Sequence, residues 1–416
     1  MNVSISPVRR IEHAIRPAPE AHQFPRLLYL SAVPPEKSFH GSVLLYRLLE
    51  NYPPDKLMVI ESNFFPSVAD RRLPGVRYKT LLEGWPRPLY TRFSRIYRTW
   101  LTRTAASRAG KVESLLEGFV PQAVLTVTHF VSWITAAYYA AQNRLPLHLI
   151  LHDECVEIPS LAGWSKAWLR RIFGNIYRKA QSRLCVSPYM VDEYEARYGS
   201  AGDVLYPSRA KDAQDFGQLP QRLLQSNGNE QLVVAFGGTV NSAGVIQLLG
   251  LIARALEPMK GVLKLFGPID PDRARTNGLA AANIEFRGSL NADAFKLALR
   301  EEADVLLAPM NFAPEDAANA RTSFPSKLAE YTAVGLPILI VGPEYCSGVR
   351  WARDHAPVAE VVSKADVEEI ARALNTLRLP ERRRELARAA LEKGDKFFGH
   401  AIGETALFHH LGVKAS

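Results

Sequence analysis

Cysteine is scarce. The chain has 416 residues and only Cys155, Cys185 and Cys346. Three widely separated cysteines exclude a disulfide framework and lack the paired spacing of a zinc module, and they fit a reducing cytoplasm. Long apolar runs are missing too. The most apolar stretch, 121–142, contains Thr126, Thr128, His129, Ser132 and Gln142. A spanning helix needs about 20 mostly apolar residues. Residues 1–24 lack the apolar centre of a signal peptide and read as a flexible extension. The chain is therefore expected to be cytoplasmic.

Acidic residues are absent from two stretches. Residues 87–111 carry Arg87, Arg92, Arg95, Arg98, Arg103, Arg108 and Lys111, with Phe93, Ile96, Tyr97, Trp100 and Leu101 at helical spacing between them. Residues 164–183 carry six more cations around Trp164, Trp168 and Phe173. The net charge is +9, and residues 1–210 hold 27 Lys and Arg against 17 Asp and Glu, so the whole excess lies in the first half. Such helices can lie on the anionic inner face of a membrane, or simply bury their aromatics and solvate their arginines. No nucleic-acid-binding module accompanies them, so no nucleic-acid partner is expected.

What is present is alternation. At 47% hydrophobic and 22% charged residues, the chain can bury sizeable cores. Short apolar runs at 25–33, 56–62, 123–128, 147–152, 183–187 and 203–207 read as strands, separated by helical stretches. The pattern restarts after the polar segment 208–231, with strands at 232–238, 261–267, 284–288, 303–310 and 336–342. Strands alternating with helices imply parallel sheets. The expected class is α/β, two Rossmann-like domains at 25–210 and 211–385, followed by a helical tail at 386–416.

The sharpest local signal is RTSFPSKLAEYTAVGLPIL, residues 321–339. Thr322 or Ser323 can cap a helix that has Pro325 in its first turn and stops at Gly335 and Pro337. A helix N-terminus offers free N–H groups to a diphosphate. Ser326 adds a hydroxyl, Lys327 a cation, and Glu330 lies one turn on, where a carboxylate can accept from a ribose diol. An ordinary capped helix with a solvated lysine and glutamate carries the same residues. Asp270-Pro271-Asp272 is a D-x-D pair of the kind that holds a metal elsewhere, but one such pair arises readily by chance, and no metal site is assigned.

FPSKLAEYTAVGLPIL resembles the nucleotide-sugar signature of GT-B glycosyltransferases, of the retaining E-x7-E type (family 4), with likeness also to family 1. FGGTVNSAG, VLKLFGP, NIEFRGSL and ADVLLAPM resemble other strands of their C-terminal half, and LHLILHDE a strand of the N-terminal half. The resemblance implies the GT-B architecture, two domains facing across a cleft with a C-terminal crossover helix. It implies metal-independent, retaining transfer of a glycosyl group from a UDP- or GDP-sugar to a saccharide or lipid-linked acceptor, with no cofactor. It gives catalytic roles to His152, Lys327 and Glu330. Donor contacts would come from Gly238, Thr239, Gly267, Arg287, Arg321, Ser323, Phe324 and Ser326, and acceptor or cleft contacts from His40, Gly41, His129 and Asp153. Thr322 stands where the first Glu of E-x7-E is expected, and 239–245 lacks the usual Arg and Lys. A GT-B frame without turnover, a membrane-binding protein and an epimerase are the competing readings.

Overall fold

The computed structural model describes residues 24–37, 40–157, 161, 163–214, 216–240 and 242–413, apart from the His40 side chain. The expected extension therefore falls almost wholly outside the described residues. Two parallel sheets organise the chain. The first has seven strands: β1 (Leu27–Ser31), β2 (Leu57–Ser62), β3 (Arg77–Leu81), β4 (Ala123–Val127), β5 (Leu147–Leu151), β6 (Ser182–Cys185) and β7 (Asp203–Val204). Their spatial order is β3-β2-β1-β4-β5-β6-β7. The second has six: β8 (Val233–Gly237), β9 (Val262–Phe266), β10 (Ile284–Gly288), β11 (Val305–Pro309), β12 (Ile338–Val341) and β13 (Glu360–Val362), ordered β10-β9-β8-β11-β12-β13. Each sheet starts in its middle and reverses there, at β1/β4 and at β8/β11. Loops leaving the carboxyl ends of those strands open the crevice where doubly wound sheets bind ligands.

The central strands are readable because helices cover both faces, so every residue of β1, β4, β5 and β8 is buried. In β1, Leu28 and Leu30 enter one core, while Leu27 and Tyr29 enter the other. The edge strands β3 and β13 carry Arg77, Lys79 and Glu360, and their apolar signal is too short to read. Charged edge strands also discourage pairing with another chain. At the other edge, β7 stops at Val204 instead of reaching residue 207.

One expected helix starts later than expected and is preceded by another. A helix at 317–322 ends where Ser323 turns extended (ψ 154°), and a five-residue helix follows at Lys327–Tyr331. Phe324 precedes Pro325, and a residue before proline is pushed out of the helical region. Neither Thr322 nor Ser323 caps the second helix. Ser326 occupies that position and makes no side-chain capping bond.

The C-terminal helices tie the two sheets together. The helix Pro380–Phe398 passes Thr332 and Arg209, and the helix His400–His410 packs Leu407 and Phe408 against Leu44, Leu45 and Leu48 beside the first sheet. A β-carbon on Gly394 would lie 2.5 Å from Thr332 Oγ1 and would strike the Arg209 guanidinium. Gly394→Ala is expected to destabilise the protein by about 1–3 kcal/mol through overpacking. Gly110→Ala, on a helical turn with open space around it, should instead stabilise by up to about 1 kcal/mol. Urea unfolding of both variants checks the contrast.

Candidate functional site

Two groups of residues stand at the carboxyl ends of the sheets. The first lines a cavity of about 470 Å³ formed by Val33, Glu36, Gly41, Phe65, His129, His152 and Asp153, among others. The structure thus brings together three residues expected at the cleft, Gly41, His129 and Asp153, with His152, expected to be catalytic. His152 follows β5, and His129 follows β4, so adjacent parallel strands deliver both rings to one place. Burial pushes the His152 imidazole down to about 4, with Asp153 pulling the other way and His129 reinforcing the shift. Its Nε2 is buried and has no hydrogen-bond partner among the described residues. Desolvation by the surrounding chain also lowers His129, although part of its surface stays open to the cavity. Phe65 sits edge-on to His129 at 6.1 Å. Glu154, next in sequence, belongs to the scaffold: it is buried, paired with Arg197 at 2.6 Å, and accepts from Val156 N at 3.0 Å.

The second group stands at the carboxyl ends of β8 and β9. Gly238 and Gly267 have φ of +134° and +139°, and each allows a close approach that a side chain would block. A β-carbon on Gly267 would collide with Gly238 O, and one on Gly238 would come within 2.8 Å of Lys327 Nζ. Tyr331, on the same helix as Lys327, accepts a 2.9 Å hydrogen bond from Gly237 N, which fixes that helix against the end of β8. Lys327 Nζ lies 4.0 Å over the Phe236 ring. Burial alone lowers its ammonium to about 8, and among the described residues no carboxylate pairs with it. Thr239 follows Gly238, half-exposed.

Other expected donor contacts are placed differently. Arg287 pairs with Glu302 at 2.9 Å, and Glu302 also holds Lys264 on β9, so the charge of Arg287 is already matched. Phe324 is buried in an aromatic cluster with Tyr206, Trp351 and Phe398, which makes it a packing residue. Ser323 returns its hydroxyl to Asn319 O at 2.8 Å and ends a helix. Ser326 is exposed. Arg321 is exposed and stacks over Tyr345 at 4.5 Å. The His40 side chain lies outside the described residues.

Glu330 is partly buried and already engaged. Arg47 reaches it at 3.0 Å from the first half, and the buried Lys296 lies 3.6 Å away. A carboxylate has about four acceptor positions, so two cations leave room for a hydroxyl ligand. Neither partner was readable from sequence. Lys296 sits on the inward face of an amphipathic helix, where a lysine gives only a faint signal. Thr322 is fully buried, donates to Ala318 O at 3.3 Å and Asn319 O at 3.4 Å, and its carbonyl accepts from Ser187 Oγ at 2.7 Å. A glutamate there would bury a carboxylate where now only a hydroxyl turns back on its own helix. Asp270 accepts from the Asp272 and Arg273 amides as a helix cap, and Asp272 pairs with Arg275, which accounts for the D-x-D pair. Among the described residues, no three His, Cys, Asp or Glu cluster as a metal site would require.

No protein-family model and no curated protein matches the sequence. Solved structures do. The chain is similar to Anabaena Alr3699/HepE in complex with UDP, with a TM-score of 0.66 at 14% identity over 93% of this chain and 99% of that one. It is similar to a glycosyltransferase from Rickettsia africae (TM-score 0.65, 12% identity, 94% and 98% covered). It is also similar to sucrose-phosphate synthase from Thermosynechococcus elongatus (TM-score 0.62, 15% identity, 92% and 98% covered). The fold is GT-B.

The pH dependence of stability follows from His152. Its folded-state value of about 4 lies below the ordinary 6.5, so the folded state binds fewer protons in between, and stability falls as pH drops through that window. His152→Gln is expected to remove this part of the decline. Urea midpoints measured from neutral pH down to about 4 test it, and an unchanged slope counts against the assignment.

Proposed function

We propose that this protein is a glycosyltransferase. It moves a sugar from a nucleotide diphosphate sugar, UDP- or GDP-linked, to a hydroxyl of a saccharide or lipid-linked acceptor during assembly of a polysaccharide or glycoconjugate. The observation that carries this reading is Lys327: a desolvated cation without a counter-ion among the described residues, beside the positive-φ Gly238 at the carboxyl end of β8 in a GT-B sheet. A buried charge without a partner is costly, and a diphosphate would match it.

In this reading the bond from the anomeric carbon to the diphosphate oxygen breaks, a bond to the acceptor oxygen forms, and the acceptor hydroxyl's proton passes to the departing diphosphate. The departing diphosphate gains charge beside Lys327, with the exposed Arg321 as a second cation. Backbone at Gly238 and Gly267 admits it closely, because no side chain intervenes. Glu330 accepts from the ribose while Arg47 and Lys296 hold its carboxylate in place. His152 is neutral at physiological pH, and its free Nε2 orients a sugar or acceptor hydroxyl in the cavity. Charge stabilisation of this kind, fixed before reaction, is the largest lever such a site has. The stereochemical course, expected to be retention, is a separate matter from Thr322, whose burial keeps it from contacting the sugar. The cytoplasm is the compartment that fits the three free cysteines.

A second reading, nucleotide binding without turnover, is favoured by Thr322 and by the Arg47–Glu330 ion pair. Thermal unfolding with UDP, GDP, ADP, CMP and their sugars tests both. A nucleotide at about 100 times its dissociation constant should add about 2.7 kcal/mol of stability. Lys327→Met should abolish most of that shift and lower kcat/KM about 100-fold, the usual cost of losing one group that stabilises transition-state charge. His152→Gln should leave the shift intact and lower turnover. A nucleotide shift with no transfer to any acceptor supports the second reading, and no shift with any nucleotide sinks both.

A further inference from the structure

We propose that the face built by residues 82–104 and 163–171 docks on an anionic lipid bilayer. The helix Ser94–Thr104 is packed the wrong way round for a water-facing helix. It buries Thr99, Leu101 and Thr102 and exposes Ile96 and Trp100, with Phe93 before it, at spacings of three and four residues. An apolar stripe at that period normally faces the core. Here Ile96 is 68% exposed, and the preceding loop adds Trp85 at 78% and Tyr90 at 88%.

A second element completes the surface. The Arg103 guanidinium lies 4.6 Å over the Trp164 ring and 4.5 Å over Trp168, which joins the helix Gly163–Lys179 to the first one. Arg95 Nε donates to Leu161 O at 3.0 Å across the same seam. The charge on this face has one sign. Arg87, Arg92, Arg95 and Arg171 are exposed, and residues 84–112 contain no acid. Glu83, just before them, is buried, and Glu157 is taken up by Arg170 at 2.6 Å.

Tryptophan and tyrosine prefer the boundary between acyl chains and headgroups, where one end of the ring is apolar and the other wet. Arginine lays its stem along apolar surface and keeps its head among phosphates. Exposed rings among unopposed arginines therefore complement an anionic bilayer rather than water. The location fits as well. Gly84, in this face, lies against the Phe64 ring, Phe64 stacks edge-on to Phe130 at 5.0 Å, and Phe65 lies edge-on to both Phe130 and His129, so this face borders the cavity of the first sheet. This surface is the same whether or not the second sheet takes a nucleotide sugar.

Co-sedimentation of the full chain with vesicles tests the proposal, using phosphatidylcholine alone and phosphatidylcholine mixed with phosphatidylglycerol. Binding is expected to the mixed vesicles and to weaken with salt. Arg87→Gln with Arg92→Gln removes two cations at about 1 kcal/mol each and should lower partitioning about 30-fold. Trp85→Ser with Ile96→Ser should also lower it, while leaving the thermal unfolding midpoint unchanged because both side chains are exposed. Sedimentation velocity on the same proteins reports self-association. Absence of vesicle binding, wild-type binding by either double variant, or a wild-type dimer that the substitutions dissociate would each overturn the proposal, the last in favour of a second copy of this chain.

Discussion

The buried guanidinium of Arg209 is the fixed point between the two sheets. Its Nε donates to Ala329 O at 3.0 Å, its Nη1 meets Asp395 at 2.6 Å, and its Nη2 reaches Thr332 Oγ1 at 3.2 Å. Its own amide donates to Phe398 O at 2.8 Å. One residue after the first sheet thus holds the short helix that carries Lys327 and Glu330, and also the long helix that returns to the first half. The planar, multiply donating guanidinium suits this role, since a lysine could not satisfy the same three acceptors in a plane. The aromatic cluster of Tyr206, Phe324, Trp351 and Phe398 packs beside it. The placement of Lys327 is therefore a long-range property of the fold, set by residues more than a hundred positions away.

The parts of the fold visible in the sequence were those where burial is complete. β1, β4, β5, β8 and β11 read as apolar runs because both of their faces are covered, and the glycines at 238 and 267 marked the strand ends where backbone comes close to backbone. β3 and β13 were illegible because edge strands carry charges in place of an apolar run. The start of the helix that carries Lys327 was read too early because capping residues and a first-turn proline were all present, yet the restriction on Phe324 before Pro325 won. In the candidate site, the histidines at strand ends were legible from topology, since parallel strands deliver their carboxyl ends to one edge. The partners of Glu330 were not. Arg47 comes from the opposite half of the molecule, and no local pattern in a sequence encodes a contact across a cleft.

Two positions define how this site departs from the pattern its sequence resembles. At 322 a threonine folds its hydroxyl back onto its helix and lends its carbonyl to Ser187, so the position serves the contact between the halves. At 330 the carboxylate is retained but braced by two cations. After β8, where the sequence lacks a cation, Lys327 brings one beside Gly238, its helix tethered there through Tyr331 and Gly237.

The segregation of charge between the two halves has a consequence for encounter. The excess of cations belongs to the half that carries the first sheet, while the half with the second sheet is close to neutral. The molecule is consequently an electric dipole along the line joining its sheets. Near a negatively charged surface, within a screening length of about 8 Å in physiological salt, the field turns the first half inward before any contact forms. The second sheet then lies on the far side of the first, away from the charged surface. The same arrangement that leaves the arginines unopposed gives the protein a preferred heading.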